Sequence, residues 1–225
     1  MTPRHLQDAF EYEVNKYDSS EILTSDLIFH WINNAVMQYV ENLYSNERDS
    51  FEETQAVTDD LKELIEEVLI PTTLNASREF SYNAILPLDY LHAVNEEVTI
   101  SFEHPNDPQV TITKRKGITH ASSATVNSQL ADPYSSHRLH YESAKPLRLF
   151  TQGEVNLLTD GNYTVDAYLL RYLRLPTKVS LETDMNFLPD SVHYDIIKLA
   201  IALYLRSIGI STEPTQKSVR RNNNE

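Results

Sequence analysis

The chain has 225 residues, 40% hydrophobic and 23% charged, with a net charge of −14 and no cysteine. That length can bury one good core, and the missing cysteines exclude disulfides, thiolate catalysis and cysteine-ligated zinc. No apolar run approaches the roughly 20 residues needed to span a bilayer, and the polar start Met-Thr-Pro-Arg-His reads as no secretory signal, so the expectation is assembly in a reducing cytoplasm without a membrane.

The charge is uneven. Residues 1–70 hold 16 acids against 4 bases, whereas residues 71–225 hold 17 against 15. An acidic front end argues against a phosphate-gripping module, which needs a basic footprint. It suits a partner with a basic surface, or a wall along which DNA slides without sticking.

Residues 4–17 form a short helix candidate, with Leu6, Phe10, Val14 and Tyr17 at helical spacing. Thr24, Ser25 or Asp26 caps a stronger helix whose stripe is Leu27, Ile28, Trp31, Ile32, Ala35, Val36, Tyr39, Val40 and Leu43. After a loop at 46–50, residues 51–70 read as a second, acidic helix, with Leu61, Leu64, Ile65 and Val68 on its apolar face and Pro71 as its stop. From Arg78 the period changes to two. Phe80, Tyr82 and Ala84 mark a strand, residues 89–95 a helical turn or the next strand, and residues 96–116 a hairpin with Val98, Ile100 and Phe102 inward.

Residues 117–144, rich in Ser, Ala, Thr, Asn and His, read as a protruding tongue. Strands follow at 147–150 and 154–158 around Thr151-Gln-Gly153. Asp160-Gly161-Asn162 then reads as a hairpin turn leading into the aromatic strand 163–175. Pro176 ends that strand. An extended connection reaches Leu188-Pro189-Asp190, which opens an amphipathic helix to about Ile208, with Gly209 as its stop. The expected fold is therefore α+β: an N-terminal helical hairpin, one antiparallel sheet of about five or six strands with a long loop, and a closing helix. Residues 1–208 form one domain in this reading, with its helical part at 4–70, and 209–225 a mobile polar tail.

Chemistry is sparse. His137 and His140 stand three apart, as two metal ligands on a helix would, but no third ligand is near. His193, beside Asp190, Tyr194 and Asp195, reads as part of a capped, exposed helix start. Glu96-Glu97, Asp59-Asp60 and Glu66-Glu67 are adjacent pairs whose side chains diverge, which does not make a carboxylate catalyst. The serine pairs lack a nucleophile elbow. The expectation is no enzyme, no cofactor and no metal. Thirteen tyrosines remain, and such large amphipathic rings are enriched at protein interfaces. The interface candidates are Lys114, Arg115, Lys116, Tyr134, His137, Tyr141, Arg220 and Arg221.

Four features together resemble the head-to-tail adaptor (connector or ring) proteins of tailed bacteriophages. They are the helical pair 24–45 and 51–70, the phrase Ile85-Leu-Pro-Leu-Asp-Tyr-Leu91, the strand Ala167-Tyr-Leu-Leu-Arg-Tyr-Leu-Arg-Leu-Pro176, and Leu188-Pro-Asp190 before an Ala- and Ile-rich helix. The spacing from Tyr172-x-Arg174-x-Pro176 to Leu188-Pro189 looks especially like ring proteins of short-tailed phages, including the crAss-like group. The resemblance implies a virion structural protein: a ring, usually of twelve copies, docked beneath the portal protein and lining the channel through which genomic DNA passes without specific binding. It also implies that the tongue 117–144 and the tail 209–225 touch adjoining subunits, the portal, or other connector or tail proteins. A tail-tube or other tail subunit is the alternative within the virion. A small regulatory nucleic-acid-binding protein is the alternative of another class.

Overall fold

The computed structural model describes residues 1–17, 23–46, 59–76, 78–104, 107–139 and 143–210. The fold is α+β. It packs as two compact units, residues 1–62 with 176–225 and residues 63–175, where the sequence reads as one domain.

The first unit is helical. Helix α1 (Pro3–Val14) starts at Thr2, whose hydroxyl accepts the His5 N–H at 3.4 Å, with Pro3 in the first turn, where its missing N–H costs nothing. Its buried face is Leu6, Phe10 and Val14, three of the four residues that the spacing selects. Helix α2 (Ser25–Asn46) buries Ile28, Ile32, Ala35, Val36 and Val40, but Leu27 stays 39% exposed, so the true stripe is narrower than expected. The chain's last described helix, Asp190–Ser207, packs against both. Its Tyr204 ring meets Phe10 at 6.1 Å and Trp31 at 6.2 Å, both edge-on. That helix ends as Gly209 predicts: at φ +80°, Gly209 allows its own N–H to reach the Arg206 carbonyl and the Ile210 N–H to reach that of Leu205. The extended connection is tied to α2 by one side chain. Asn33 donates to the Val179 carbonyl at 2.9 Å and accepts the Val179 N–H at 2.8 Å.

The second unit contains two sheets, where one was expected. One has the order β1–β9–β4–β5, from β1 (Ile65–Pro71), β9 (Thr164–Arg174), β4 (Tyr90–His104) and β5 (Asp107–Gly117), all antiparallel. The other has the order β2–β3–β8–β7–β6, from β2 (Thr73–Leu74), β3 (Ser81–Ile85), β8 (Glu154–Leu158), β7 (Leu147–Thr151) and β6 (Thr119–His120), with β6 parallel to β7. Val98, Ile100, Phe102, Val165, Tyr168 and Leu170 of the first sheet share a core with Ala84, Val155 and Leu157 of the second. The hairpin at 96–116 and its alternation stand as read.

Three further expectations change. The acidic helix over 51–70 does not reach its end: residues 59–61 are helical and 62–64 form a 3₁₀ turn, but 65–71 are strand β1, and 51–58 lie outside the described residues. The same run has a period-two reading, Glu66, Val68, Ile70, in which Val68 and Ile70 are β-branched and meet Leu170 and Tyr168 of β9. Long-range pairing overrides helical spacing there.

The tongue at 117–144 does not protrude over its described part. Strand β6 pairs with β7. Helix α3 (Val126–Ala131) buries Val126 against Leu147 and Leu158, and Ala144 is fully buried. Its small and polar residues cap one another instead, as Ser136 does by donating to Thr119 at 2.8 Å.

Asp160-Gly161-Asn162 is not a hairpin turn, because β8 and β9 belong to different sheets. Gly161, at φ +88°, carries the chain from one to the other under the Phe80 ring. Phe80 is itself at φ +53°, and its carbonyl accepts the Thr159 N–H at 2.9 Å. A Cβ at position 161 would lie 2.6 Å from that ring. Gly161→Ala should therefore cost about 1–3 kcal/mol, from the disfavoured φ and the clash together, read as a lower urea midpoint. An unchanged midpoint would show that this crossing is not held by the Phe80 contact.

Candidate functional site

The basic run lies on β5, at one edge of the first sheet, and it does not form a single patch. Lys114 and Lys116 stand opposite Ile100 and Val98, on the inward-facing side of the sheet; Arg115 stands opposite Thr99, on the outer side. The Lys114 ammonium sits 5.9 Å from the centre of the Phe102 ring. Tyr134 is 85% exposed.

His137 is not on the surface. It is 1% exposed; its Nδ1 is 3.0 Å from the Ser135 hydroxyl, and its carbonyl accepts the Tyr163 hydroxyl at 3.3 Å. Its backbone belongs to the 3₁₀ turn that seats the former tongue, so packing claims the ring. Tyr141, Arg220 and Arg221 lie outside the described residues, as does His140. Helix α4 (Asp190–Ser207) also departs from its reading. His193 is buried at 2% exposure, held between the Leu188 carbonyl at Nε2 (3.1 Å) and the Met1 ammonium at Nδ1 (3.0 Å). The same ammonium is 2.5 Å from Asp190 and holds that carboxyl below its usual range.

The sequence missed the cluster around Glu96. Arg148 of β7 donates to both Glu96 oxygens through Nη1, at 2.7 and 2.6 Å. The Tyr168 hydroxyl of β9 donates to one of them, and His120 of β6 places Nε2 3.1 Å from the other. Glu96 and Arg148 side chains are 5% and 11% exposed. Arg148 also stacks 3.9 Å from the Phe150 ring centre, and Phe150 continues through Tyr90 to Tyr172, with centroids 6.1 and 6.0 Å apart. Burial, then the neighbouring carboxylate, pushes the Tyr168 phenol well above its ordinary range, so it stays a donor. The signal was present in the chain. Glu96 is in phase with Val98, Ile100 and Phe102, the inward face of β4.

With a guanidinium and a phenol as fixed donors, this carboxylate has its lone pairs occupied, and it braces one sheet of the unit to the other. The arrangement is structural. Among the described residues, no group of three or more His, Asp or Glu side chains is placed to hold a metal ion, and no helix is long and apolar enough to cross a membrane.

The helical unit carries a groove of about 500 Å³ between α1 and α4. Ile197, Ile201 and Leu205 form its floor, and Tyr12, Tyr17 and Tyr194, each at least 59% exposed, form its rim. Compared with known proteins, the chain matches no family model and no curated sequence.

Removing Arg148 alone strands a buried carboxylate. Arg148→Met should cost about 3–5 kcal/mol, whereas Glu96→Gln with Arg148→Met should lose less than the two single changes added together. Urea unfolding of the four-member cycle measures this, and simple additivity would contradict the brace. Burial, ahead of the neighbouring positive charges, lowers the pKa of both His137 and His193. Their contribution to stability is full above the ordinary histidine value of about 6.5. It declines as pH falls below that, because the unfolded chain then binds protons that the folded one refuses. Urea midpoints should drop between pH 7 and pH 5, and His193→Gln should flatten that slope.

Proposed function

We propose that the chain is a virion structural protein, a subunit of the head-to-tail connector ring that docks beneath the portal protein and joins capsid to tail. The observation that carries the reading is the tyrosine-rimmed groove between α1 and α4. Three exposed tyrosines around an apolar floor have the composition of the core of a protein interface, and they are costly to leave in water.

Three of the four features behind the resemblance keep their secondary structure. Ile85-Leu-Pro-Leu-Asp-Tyr-Leu91 joins β3 to β4, the aromatic strand is β9 inside the first sheet, and Leu188-Pro-Asp190 opens α4. The fourth, the helical pair, survives only in α2. An acidic wall formed by helices over the whole of 24–70 is therefore not part of the proposal. What supports passage of genomic DNA without specific binding is the net charge of −14 and the division of the basic run between two faces of a sheet. In this reading the protein has no catalytic role and no cofactor. Its place is the virion, assembled in the host cytoplasm, and its other neighbours are connector or tail proteins.

Native mass spectrometry and negative-stain microscopy of the purified full-length chain test the reading. Twelvefold rings are the expected result. Three- or sixfold particles would favour a tail-tube or other tail subunit. A monomer whose DNA affinity falls steeply with salt would favour the regulatory nucleic-acid-binding alternative.

A further inference from the structure

We propose that copies of the chain join edge to edge through the first sheet, strand β5 of one copy pairing antiparallel with strand β1 of the next. The inference rests on the reading of the chain as a ring subunit and names the interface that would build the ring. The sheet has the order β1–β9–β4–β5, so it ends at β1 on one side and β5 on the other. The two edges differ in charge. Strand β1 carries Glu66 and Glu67 and no base; residues 111–117 of β5 carry Lys114, Arg115 and Lys116 and no acid.

Strand direction and side-chain phase both permit the pairing. Each neighbouring pair in the sheet is antiparallel, so β1 and β5 run in opposite directions and a further β1 continues the alternation. Facing inward are Glu66, Val68 and Ile70 of β1, opposite Tyr172, Leu170 and Tyr168, and Ile112, Lys114 and Lys116 of β5, opposite Phe102, Ile100 and Val98. Setting Glu67 against Arg115 places Glu66 against Lys116, Ile70 against Ile112, and the 59% exposed Leu69 against Thr113. All seven residues of β1 find a partner in 111–117. A slip of one residue would set inward side chains against outward ones along the whole pair.

The charges also exclude the competing arrangements. Pairing β1 with β1, or β5 with β5, would make a closed twofold dimer, and it sets like charges opposite one another. Only the unlike edges attract, and an interface between unlike surfaces is head-to-tail, the kind that generates rings. Charged side chains on an edge strand ordinarily guard it against pairing. Here opposite signs on the two edges guard each against itself and leave the mixed pair open. Glu66 already has contacts within its own chain, to Arg174 at 3.3 Å and the Tyr172 hydroxyl at 3.3 Å. The Glu67–Arg115 contact is therefore the more direct probe.

The chain has no cysteine, so any disulfide in Glu67→Cys, Arg115→Cys protein joins introduced positions only, and the two single-cysteine variants, which should stay uncrosslinked, separate the 67–115 pair from 67–67 and 115–115 links. Within one copy the two positions are three strand spacings apart, roughly 14 Å, beyond the ~7 Å Cα limit of a disulfide. Mild oxidation of the full-length double variant should therefore give a ladder of covalent multimers on a non-reducing gel, at least tenfold more than the out-of-register Glu67→Cys, Thr111→Cys protein gives. In parallel, Glu67→Arg alone should abolish assembly, and adding Arg115→Glu should restore it, by native mass spectrometry. Assembled particles without the ladder, or unaffected by Glu67→Arg, would overturn this interface and leave the ring reading standing. A wild-type chain that remains monomeric would overturn both.

Discussion

Among the described residues Glu96 is the one buried carboxylate, and the geometry of the 63–175 unit depends on how it is satisfied. A carboxylate taken out of water without partners costs several kcal/mol or ionises no longer. Here Arg148 comes from the second sheet, Tyr168 from the strand beside β4, and His120 from the strand beside β7. The cluster can form only if β4 and β7 hold one register relative to each other. A single-residue slip of β4 would turn Glu96 outward and leave the Arg148 charge unpaired. The ionic contact therefore fixes the phase of β4, and through the ladder it fixes which side chains of β5, β9 and β1 face inward.

That phase is what gives the sheet edges their pattern. Lys116 and Lys114 are inward because Val98 and Ile100 are, and Arg115 is outward because Thr99 is. On the far side Glu66 follows Tyr172, and Glu67 follows Arg171. A buried pair near the middle of the unit thus determines the charge sequence at both borders of the first sheet, one strand spacing away at β5 and two at β1. In the proposed ring, the same interaction that braces the subunit would also set how subunits match.

Much of this was legible in the sequence wherever burial is one-sided. Helices α1, α2 and α4 show 3.6-residue periodicity over several turns, and the hairpin 96–116 shows clean alternation. Gly209 and Gly153 mark ends that need a positive φ. Other parts were hidden for definite reasons. Residues 65–71 satisfy both a helical and a strand pattern, and only the partner strand β9 decides between them. The former tongue is polar because its side chains bond to one another, a closure that composition cannot distinguish from solvation. Residues 160–162 have the chemistry of a hairpin turn, yet Gly161 is needed to pass beneath Phe80 between sheets. Glu96-Glu97 reads only as an adjacent acidic pair with diverging side chains, although the phase of Glu96 with Val98 and Ile100 already places it inside. His193 was read from its charged neighbours, while its position on the inner face of α4 decides its burial.

The central claim, a ring subunit whose sheet continues from copy to copy, has a direct structural test. Electron cryomicroscopy of the assembled particle, at a resolution that separates strands, should show β5 of each copy about 4.8 Å from β1 of its neighbour in one uninterrupted antiparallel sheet. A ring in which β1 and β5 both border solvent, or are covered by helices, would contradict it.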